Sequence, residues 1–148
     1  MRKRIKFTFI ICISTLLTGC SSHDVLLIFN NTDFPITLKY RLNLEIVSNS
    51  YLNCNPEVFS PYNRKKLYEL LKDEDAKTIP AKFSFRLKPK SAIVICQATN
   101  SDIASEDFAL NSVEINSPSG TMSLSGDFLK NKFRNSKGFI YEYELRNP

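Results

Sequence analysis

Two kinds of hydrophobic pattern recur along this chain and predict a protein built mainly from β-strands. Residues 25–29 and 92–98 are short continuous apolar runs, which are typical of strands when turn residues flank them. Residues 36–46 and 79–87 alternate apolar and polar positions with a period of two, so each is expected to bury one face. The remaining predicted strands are residues 108–115, 121–125 and 139–145.

Turn and helix signals lie between these strands. Residues 89–90 predict a hairpin between the strands on either side, and residues 117–120 predict a second turn between neighbours. Ser60-Pro61 is typical of a helix start, and Leu67, Leu70 and Leu71 would form the apolar side of that helix. A further helical turn or two is expected within residues 127–134.

About seven short strands with one or two short helices indicate a mainly β fold. The expected architecture is an antiparallel β-sandwich, immunoglobulin-like or transthyretin-like in its layer plan. No internal repeat or low-complexity stretch divides the chain, so residues 25–148 are expected to form a single β-sandwich domain.

The first 19 residues are laid out as a secretory signal. A basic start at residues 2–6 precedes an apolar stretch of 11 residues, 7–17. A helix needs about 20 apolar residues to cross the hydrocarbon core, so this stretch is too short for a permanent membrane span. We therefore expect residues 1–19 to be a signal peptide that is removed.

The tetrapeptide Leu17-Thr18-Gly19-Cys20 resembles the lipobox of bacterial lipoproteins, in which small residues before the cysteine give the signal peptidase access to the bond. The resemblance implies cleavage before Cys20, a diacylglyceryl group on its thiol and an N-acyl chain on the new amino terminus. Residues 20–24 would form a short lipidated linker, and several acyl chains would give stable membrane binding. The alternatives are an ordinary secretory signal with a chance cysteine, or a soluble protein with an apolar first strand.

Charge and the residues after Cys20 refine this interpretation. The formal net charge of +5 falls to about +1 without the signal, because 16 basic and 15 acidic residues remain. Nucleic-acid binding needs clustered, uncompensated cations, so nucleic acid is not an expected partner.

Ser21 and Ser22 follow the cysteine, and in Gram-negative lipoproteins the absence of Asp at the second mature position implies transport to the outer membrane. We expect the protein to lie on the periplasmic face of the outer membrane.

Four cysteines are present, and processing would leave two of them free to pair. Cys12 would be lost with the signal and Cys20 would carry lipid, so Cys54 and Cys96 remain. In an oxidising compartment they are expected to form a disulfide that closes a loop of about 40 residues; two separate buried thiols are the alternative. Two distant cysteines do not make a zinc site, so no metal or other cofactor is expected beyond the covalent lipid.

No catalytic constellation is evident, and we do not expect an enzyme. His23 is the only histidine and lies in the predicted linker, while Ser119 lies in a turn without the Gly-x-Ser-x-Gly pattern. Two runs of adjacent acidic residues could supply paired carboxylates for glycan cleavage, but adjacent acids are usually solvated rather than catalytic. These acids are Asp73, Glu74, Asp75, Glu106 and Asp107.

Two sets of side chains are candidates for a contact surface. The polar face of the predicted strands carries a set of cations that would form a basic patch if the strands are neighbours; an ordinary charged sheet face is the alternative. These cations are Lys39, Arg41, Lys82, Arg86 and Lys88. Tyr51, Phe59 and Tyr62 lie outside the regular strand pattern and form the second set.

Together these features predict a membrane-anchored lipoprotein that acts through protein contact in the bacterial cell envelope, in an assembly, accessory or protective role. The expected partner is another envelope protein. The alternatives are a protein that binds or processes cell-wall glycan, and an immunity or exclusion lipoprotein.

Overall fold

The computed structural model describes residues 23–49, 52–67, 80–99, 103, 108–137 and 139–147. The strands are β1 His23–Asn30, β2 Ile36–Leu42, β3 Leu52–Asn53, β4 Glu57–Phe59, β5 Lys82–Leu87, β6 Ser91–Thr99, β7 Leu110–Ser117, β8 Gly120–Ser125, β9 Arg134–Lys137 and β10 Ile140–Leu145. The helices are α1 Leu44–Asn49, α2 Gly126–Lys130 and a 3-10 helix Arg64–Lys66. The prediction of a mainly β fold with short helices is confirmed.

The strands form two sheets. Sheet A has six strands in the order β3-β6-β1-β10-β9, with β4 also paired to β6, and sheet B has four in the order β5-β2-β7-β8. One hydrophobic cluster takes residues from both sheets, among them Leu26 and Ile95 of sheet A and Leu38 and Val113 of sheet B. The two sheets therefore share a core.

The two continuous apolar runs form β1 and β6, the central strands of sheet A. Both faces of these two strands are buried. Successive residues of a strand point to opposite faces, so a strand covered on both sides must be apolar throughout. Leu26 and Ile28 of β1 face the shared core, whereas Val25 and Leu27 belong to a second cluster. That second cluster includes Leu67, which is buried as the sequence predicted.

Strand β1 begins at His23, so the last two residues of the predicted linker belong to the sheet. It pairs in parallel with β10, in register from Val25 opposite Ile140 to Asn30 opposite Leu145. The expectation of a purely antiparallel fold is wrong for this pair, although the other strand pairs of the described residues are antiparallel. Strands β1 and β10 can be parallel neighbours because the chain between them forms the long connection that parallel pairing requires.

The predicted hairpin across residues 89–90 is also wrong, because β5 lies in sheet B and β6 in sheet A. Strand β6 is apolar on both faces and occupies the interior of sheet A, whereas the alternating β5 can serve as an edge strand. The side-chain amide of Asn30 holds the corner by donating to the carbonyls of Leu87 (3.3 Å) and Lys88 (3.0 Å). By contrast, β7 and β8 are paired neighbours as predicted.

Two further predicted boundaries differ from the structure. Strand β2 ends at Leu42 instead of residue 46, and the Val47 amide donates to the Asn43 carbonyl (3.0 Å) as the chain enters α1. Ile46 still packs against the core, so a helix satisfies the same apolar positions. The second difference concerns Ser60-Pro61, a cis peptide in the structure and not a helix start.

The 3-10 helix begins later than the sequence predicted. Asn63 is its N-cap, and the side chain of Asn63 accepts a hydrogen bond from the Lys65 amide (3.0 Å). Leu70 and Leu71 lie outside the described residues. No helix in the part of the chain that the structure describes has the length and hydropathy to span a bilayer.

A disulfide joins Cys54 and Cys96, and both residues are fully buried. Asn53 pairs with Gln97 across β3 and β6, so Cys54 and Cys96 are the next opposing positions. Their Cα atoms are 4.0 Å apart. The predicted pairing is therefore present, and it links the edge of sheet A to one of its central strands.

We predict that the double substitution Cys54→Ala and Cys96→Ala lowers the free energy of unfolding by about 3–4 kcal/mol, because the bond closes a loop of 42 residues in the unfolded chain. Urea unfolding of the oxidised protein and the variant measures the difference. An equal midpoint for the two proteins would show that the bond contributes nothing to stability.

Candidate functional site

The structure brings together four of the five cations that the sequence assigned to a basic face. Strands β2 and β5 are antiparallel neighbours, with Arg41 opposite Lys82, Lys39 opposite Ser84 and Thr37 opposite Arg86. The side chains of Lys39, Arg41, Lys82 and Arg86 are exposed on the outer face of sheet B. Lys88 is exposed one residue beyond β5.

These cations differ in how far their charge is compensated. Lys39 Nζ lies 2.9 Å from Glu114 Oε1, and the hydrogen bond from Lys39 is the main cause of the lowered pKa of Glu114. Within the described ranges, Arg41, Lys82 and Arg86 make no ion pair. Lys88 makes none there either, so the uncompensated charge lies at both ends of the β2–β5 pair, with Arg41 opposite Lys82 at one end and Arg86 and Lys88 at the other.

A second site, which the sequence did not predict, is built around the buried carboxylate of Glu142. The Glu142 side chain is only 3% exposed, although it lies at the centre of β10. Arg64 binds it through two nitrogens, Nε to Oε2 (3.1 Å) and one terminal nitrogen to Oε1 (2.5 Å). The Tyr62 hydroxyl donates to Oε2 (3.1 Å).

The electrostatics of this network follow from its burial. Burial, and then the adjacent Glu142 carboxylate, raise the pKa of the Tyr62 phenol, so the hydroxyl stays protonated and remains a donor. The hydrogen bond to Glu142 raises the pKa of Arg64. Two of the five guanidinium N–H groups point at Glu142, and this two-point contact holds the Arg64 plane in one orientation.

Arg64 and Glu142 line a surface groove of about 670 Å³ between α2, β9 and β10. The other side chains named at this groove include Phe128, Lys132, Arg134, Glu144 and Arg146. Glu144 is paired with Arg146 (3.0 Å), and this contact is the main cause of the lowered pKa of Glu144.

The groove carries a surplus of positive charge. Lys132 and Arg134 have no ion pair within the described part of the chain, whereas both groove carboxylates, Glu142 and Glu144, are neutralised by arginines. Phe128 is 79% exposed, the largest exposure among the large apolar side chains described. The groove therefore combines uncompensated cations with an exposed aromatic ring.

Beside this groove, β10 has an open edge. Strand β9 covers β10 only as far as Glu142, which pairs with Arg134, whereas β10 continues to Leu145. The carbonyl of Leu145 accepts from Asn31 (2.9 Å) on the β1 side. Alternate residues of a parallel strand face opposite neighbours, so the backbone of Glu144 faces away from β1, where the described residues place no strand.

The remaining sequence candidates do not form a site in the described residues. Phe59 is buried and Tyr62 packs against Phe29 with ring centroids 4.8 Å apart, so neither is the free contact residue that the sequence predicted. His23 Nδ1 lies 3.3 Å from the Thr99 hydroxyl, and Ser119 lies in the β7–β8 turn.

Several candidates lie outside the described residues, namely Cys20, Tyr51, Asp73, Glu74, Asp75, Glu106 and Asp107. Within the described residues no group of three or more His, Cys, Asp or Glu side chains could hold a metal ion.

The sequence contained little signal for the groove. Arg64 precedes an apolar helical pattern and is indistinguishable from a solvated residue, and Glu142 occupies a polar position of an alternating strand. Their pairing depends on the covering of the second face of sheet A, which a single sequence does not reveal.

Comparison with protein-family models, curated proteins and solved structures finds no match to this chain.

We predict that Arg64→Met destabilises the fold by about 3 kcal/mol, because the buried Glu142 carboxylate loses its cation. The matched control is Lys39→Met, which removes an ion pair whose side chains are 54% and 40% exposed and should cost much less, because solvent screens an exposed pair. Urea unfolding of both variants measures the contrast. Equal losses of unfolding free energy would show that the buried Arg64–Glu142 contact stabilises the fold no more than the exposed Lys39–Glu114 pair does.

Proposed function

We propose that this protein is a lipoprotein of the bacterial cell envelope, anchored through Cys20, that acts without catalysis by binding another envelope protein. Its domain would be an open β-sandwich on the periplasmic face of the outer membrane. The proposal joins the lipobox resemblance to a groove that can take a segment of a partner protein.

The anchoring part of the proposal is supported by the sequence and by the position of β1. Strand β1 starts at His23, three residues after Cys20, so a lipid on Cys20 would lie close in sequence to the folded domain. A disulfide between Cys54 and Cys96 also agrees with an oxidising compartment outside the cytoplasm.

The contact part rests on one observation, the cationic groove beside the open edge of β10. An extended peptide can add to an exposed sheet edge through its backbone, while its side chains determine specificity. No strand of the described residues pairs with the outward backbone of Glu144, and the uncompensated Lys132 and Arg134 favour carboxylates. The partner would therefore present an extended segment with acidic side chains.

A glycan-binding role is the second candidate, and the exposed Phe128 ring favours it. The ring lies in the same groove as Asn131 and Asn135, and aromatic faces with amide side chains are suited to sugar rings and hydroxyl groups. The acids considered for glycan cleavage lie outside the described residues, so this candidate concerns binding only.

We predict that the protein incorporates labelled palmitate in cells and that Cys20→Ala abolishes the label and leaves the precursor uncut. The thiol is the atom that accepts the diacylglyceryl group, and cleavage follows that modification. Palmitate labelling with intact-mass analysis measures both outcomes. An unlabelled wild-type protein, or one that retains residue 1, would contradict the anchor.

We further predict that a photo-crosslinking amino acid in place of Phe128 joins the lipidated protein to an acidic, extended segment of an envelope protein. The charge reversals Lys132→Glu and Arg134→Glu together should reduce that adduct at least about tenfold, since two favourable charge contacts become repulsive. Mass spectrometry of the crosslinked peptide identifies the segment and quantifies the adduct.

The matched control is the pair Arg86→Glu and Lys88→Glu, which reverses two exposed charges outside the groove. This control should leave the adduct unchanged. A carbohydrate adduct at residue 128 would favour the glycan-binding candidate, and an adduct that is insensitive to the groove reversals would refute the acidic-segment interpretation.

A further inference from the structure

We propose that the end of the domain at which β1 begins rests on the anchoring leaflet, with the Phe139 ring among the lipid headgroups and Arg41 and Lys82 on anionic phosphates. The inference rests on the proposed lipidation of Cys20 and adds the part of the fold that meets lipid. The ligand is a bilayer surface that contains anionic lipid. We call this part of the domain, with Phe139, Arg41 and Lys82, the anchor end.

The length of the tether limits where the domain can lie. Only Ser21 and Ser22 lie between Cys20 and His23 at the start of β1, so the path is three residue steps long. Three residues span at most about 11 Å when fully extended. A lipidated sulfur lies at the boundary of the hydrocarbon core, and each headgroup layer is roughly 5–8 Å thick. The start of β1 is therefore held at the membrane surface.

Phe139 lies at this same end of sheet A. The Val25 amide donates to the Phe139 carbonyl (2.8 Å), so parallel pairing puts the residues before β10 beside the start of β1. The Phe139 side chain is 50% exposed, although it is large and apolar. Aromatic and leucine side chains of surface-bound proteins occupy the boundary between headgroups and acyl chains.

The corner of the fold shows which end of sheet B lies at the anchor end. Asn30, at the end of β1 farther from Cys20, bonds the carbonyls at the end of β5. Ile36 pairs with Leu87 at that same corner. Arg41 and Lys82 face each other at the opposite ends of β2 and β5, toward the anchor end.

Helix α1 supports the same alignment of the two sheets. It leads from the end of β2 to β3, where Leu52 pairs with Ala98, and Ala98 pairs with Asp24 next to the start of β1. The first residue of the helix, Leu44, is 44% exposed. The anchor end thus carries a second large apolar side chain.

Uncompensated cations lie at both ends of the β2–β5 pair, and the anchor end holds the two that face each other directly. The Arg41–Lys82 row at the anchor end has two cations without an ion pair in the described residues, and the middle row has Lys39 neutralised by Glu114. The far end has Arg86 opposite Thr37, with Lys88 exposed one residue beyond β5, so the position of the tether, and not charge alone, selects the Arg41–Lys82 end. Each basic residue near an anionic membrane strengthens binding about fivefold, and the exposed Glu45 in α1 offsets part of this gain.

Tryptophan fluorescence tests the orientation directly, because the chain contains no tryptophan. The probe is Phe139→Trp in the lipidated protein, reconstituted into vesicles of phosphatidylethanolamine and phosphatidylglycerol with brominated acyl chains. The matched control is Met122→Trp, an exposed apolar site near the β7–β8 turn at the other end of sheet B.

We expect the emission of the Phe139→Trp variant to shift to the blue and to be quenched at least about twofold by the brominated chains, because the indole enters the headgroup–acyl boundary. The emission of the Met122→Trp variant should be the same in brominated and unbrominated vesicles. Adding Arg41→Glu and Lys82→Glu to the Phe139→Trp variant should weaken the quenching, whereas adding Arg86→Glu and Lys88→Glu should not. If Phe139→Trp fails to fold, Leu44→Trp provides the same measurement.

The outcomes separate this inference from the proposed function. Palmitate on Cys20 together with an unquenched indole in the Phe139→Trp or Leu44→Trp variant, or with quenching equal to that of the Met122→Trp control, would overturn the orientation and leave the anchor intact. Absence of palmitate from the wild-type protein would overturn the proposed function and the orientation together.

Discussion

The structure depends on the need to cover both faces of the central strands of sheet A. Strands β1 and β6 are apolar at successive positions, so neither face can be left to water. Sheet B packs on one face through the shared core. Phe59 and Leu67, contributed by β4 and by the residue after the 3-10 helix, cover the other face.

This second covering also creates the candidate groove. The segment that contributes Leu67 to the core carries Tyr62 and Arg64 past β10, and there they bind the Glu142 carboxylate. A carboxylate in the middle of a buried strand would be costly alone, but the bidentate arginine and the phenol satisfy it. A requirement of the hydrophobic core thus determines where an oriented guanidinium faces the solvent.

The sequence predicted those features that depend on local pattern. Period-two alternation located β2 and β5, continuous apolar runs located β1 and β6, and the count of remaining cysteines identified the Cys54–Cys96 pair. It failed where pairing depends on distant parts of the chain. The parallel contact of β1 with β10 and the separation of β5 from β6 into different sheets both follow from which strands can be buried on two faces.

For the candidate site, the sequence predicted the basic face of sheet B but missed the groove beside β10. The basic face was predicted from the alternation that puts residues such as Arg41 and Lys82 on the polar side of their strands. The prediction also assumed that these strands are neighbours, and the structure shows that they are. The groove needed knowledge of what lies over β10, and no local pattern around Arg64 or Glu142 contains it. An aromatic residue outside the strand pattern is a poor guide to a contact surface, since Phe59 covers the core instead.

The parallel pairing of β1 with β10 has a consequence for how the chain matures. Of the strands that the structure describes, β1 comes first along the chain, and its two neighbours are β6 and the last strand, β10. Contacts between such distant segments form slowly because a large loop has to close first. Sheet A would thus be completed only when β10 has been synthesised, whereas the strands of sheet B and the β1–β6 pair have their partners earlier in the chain.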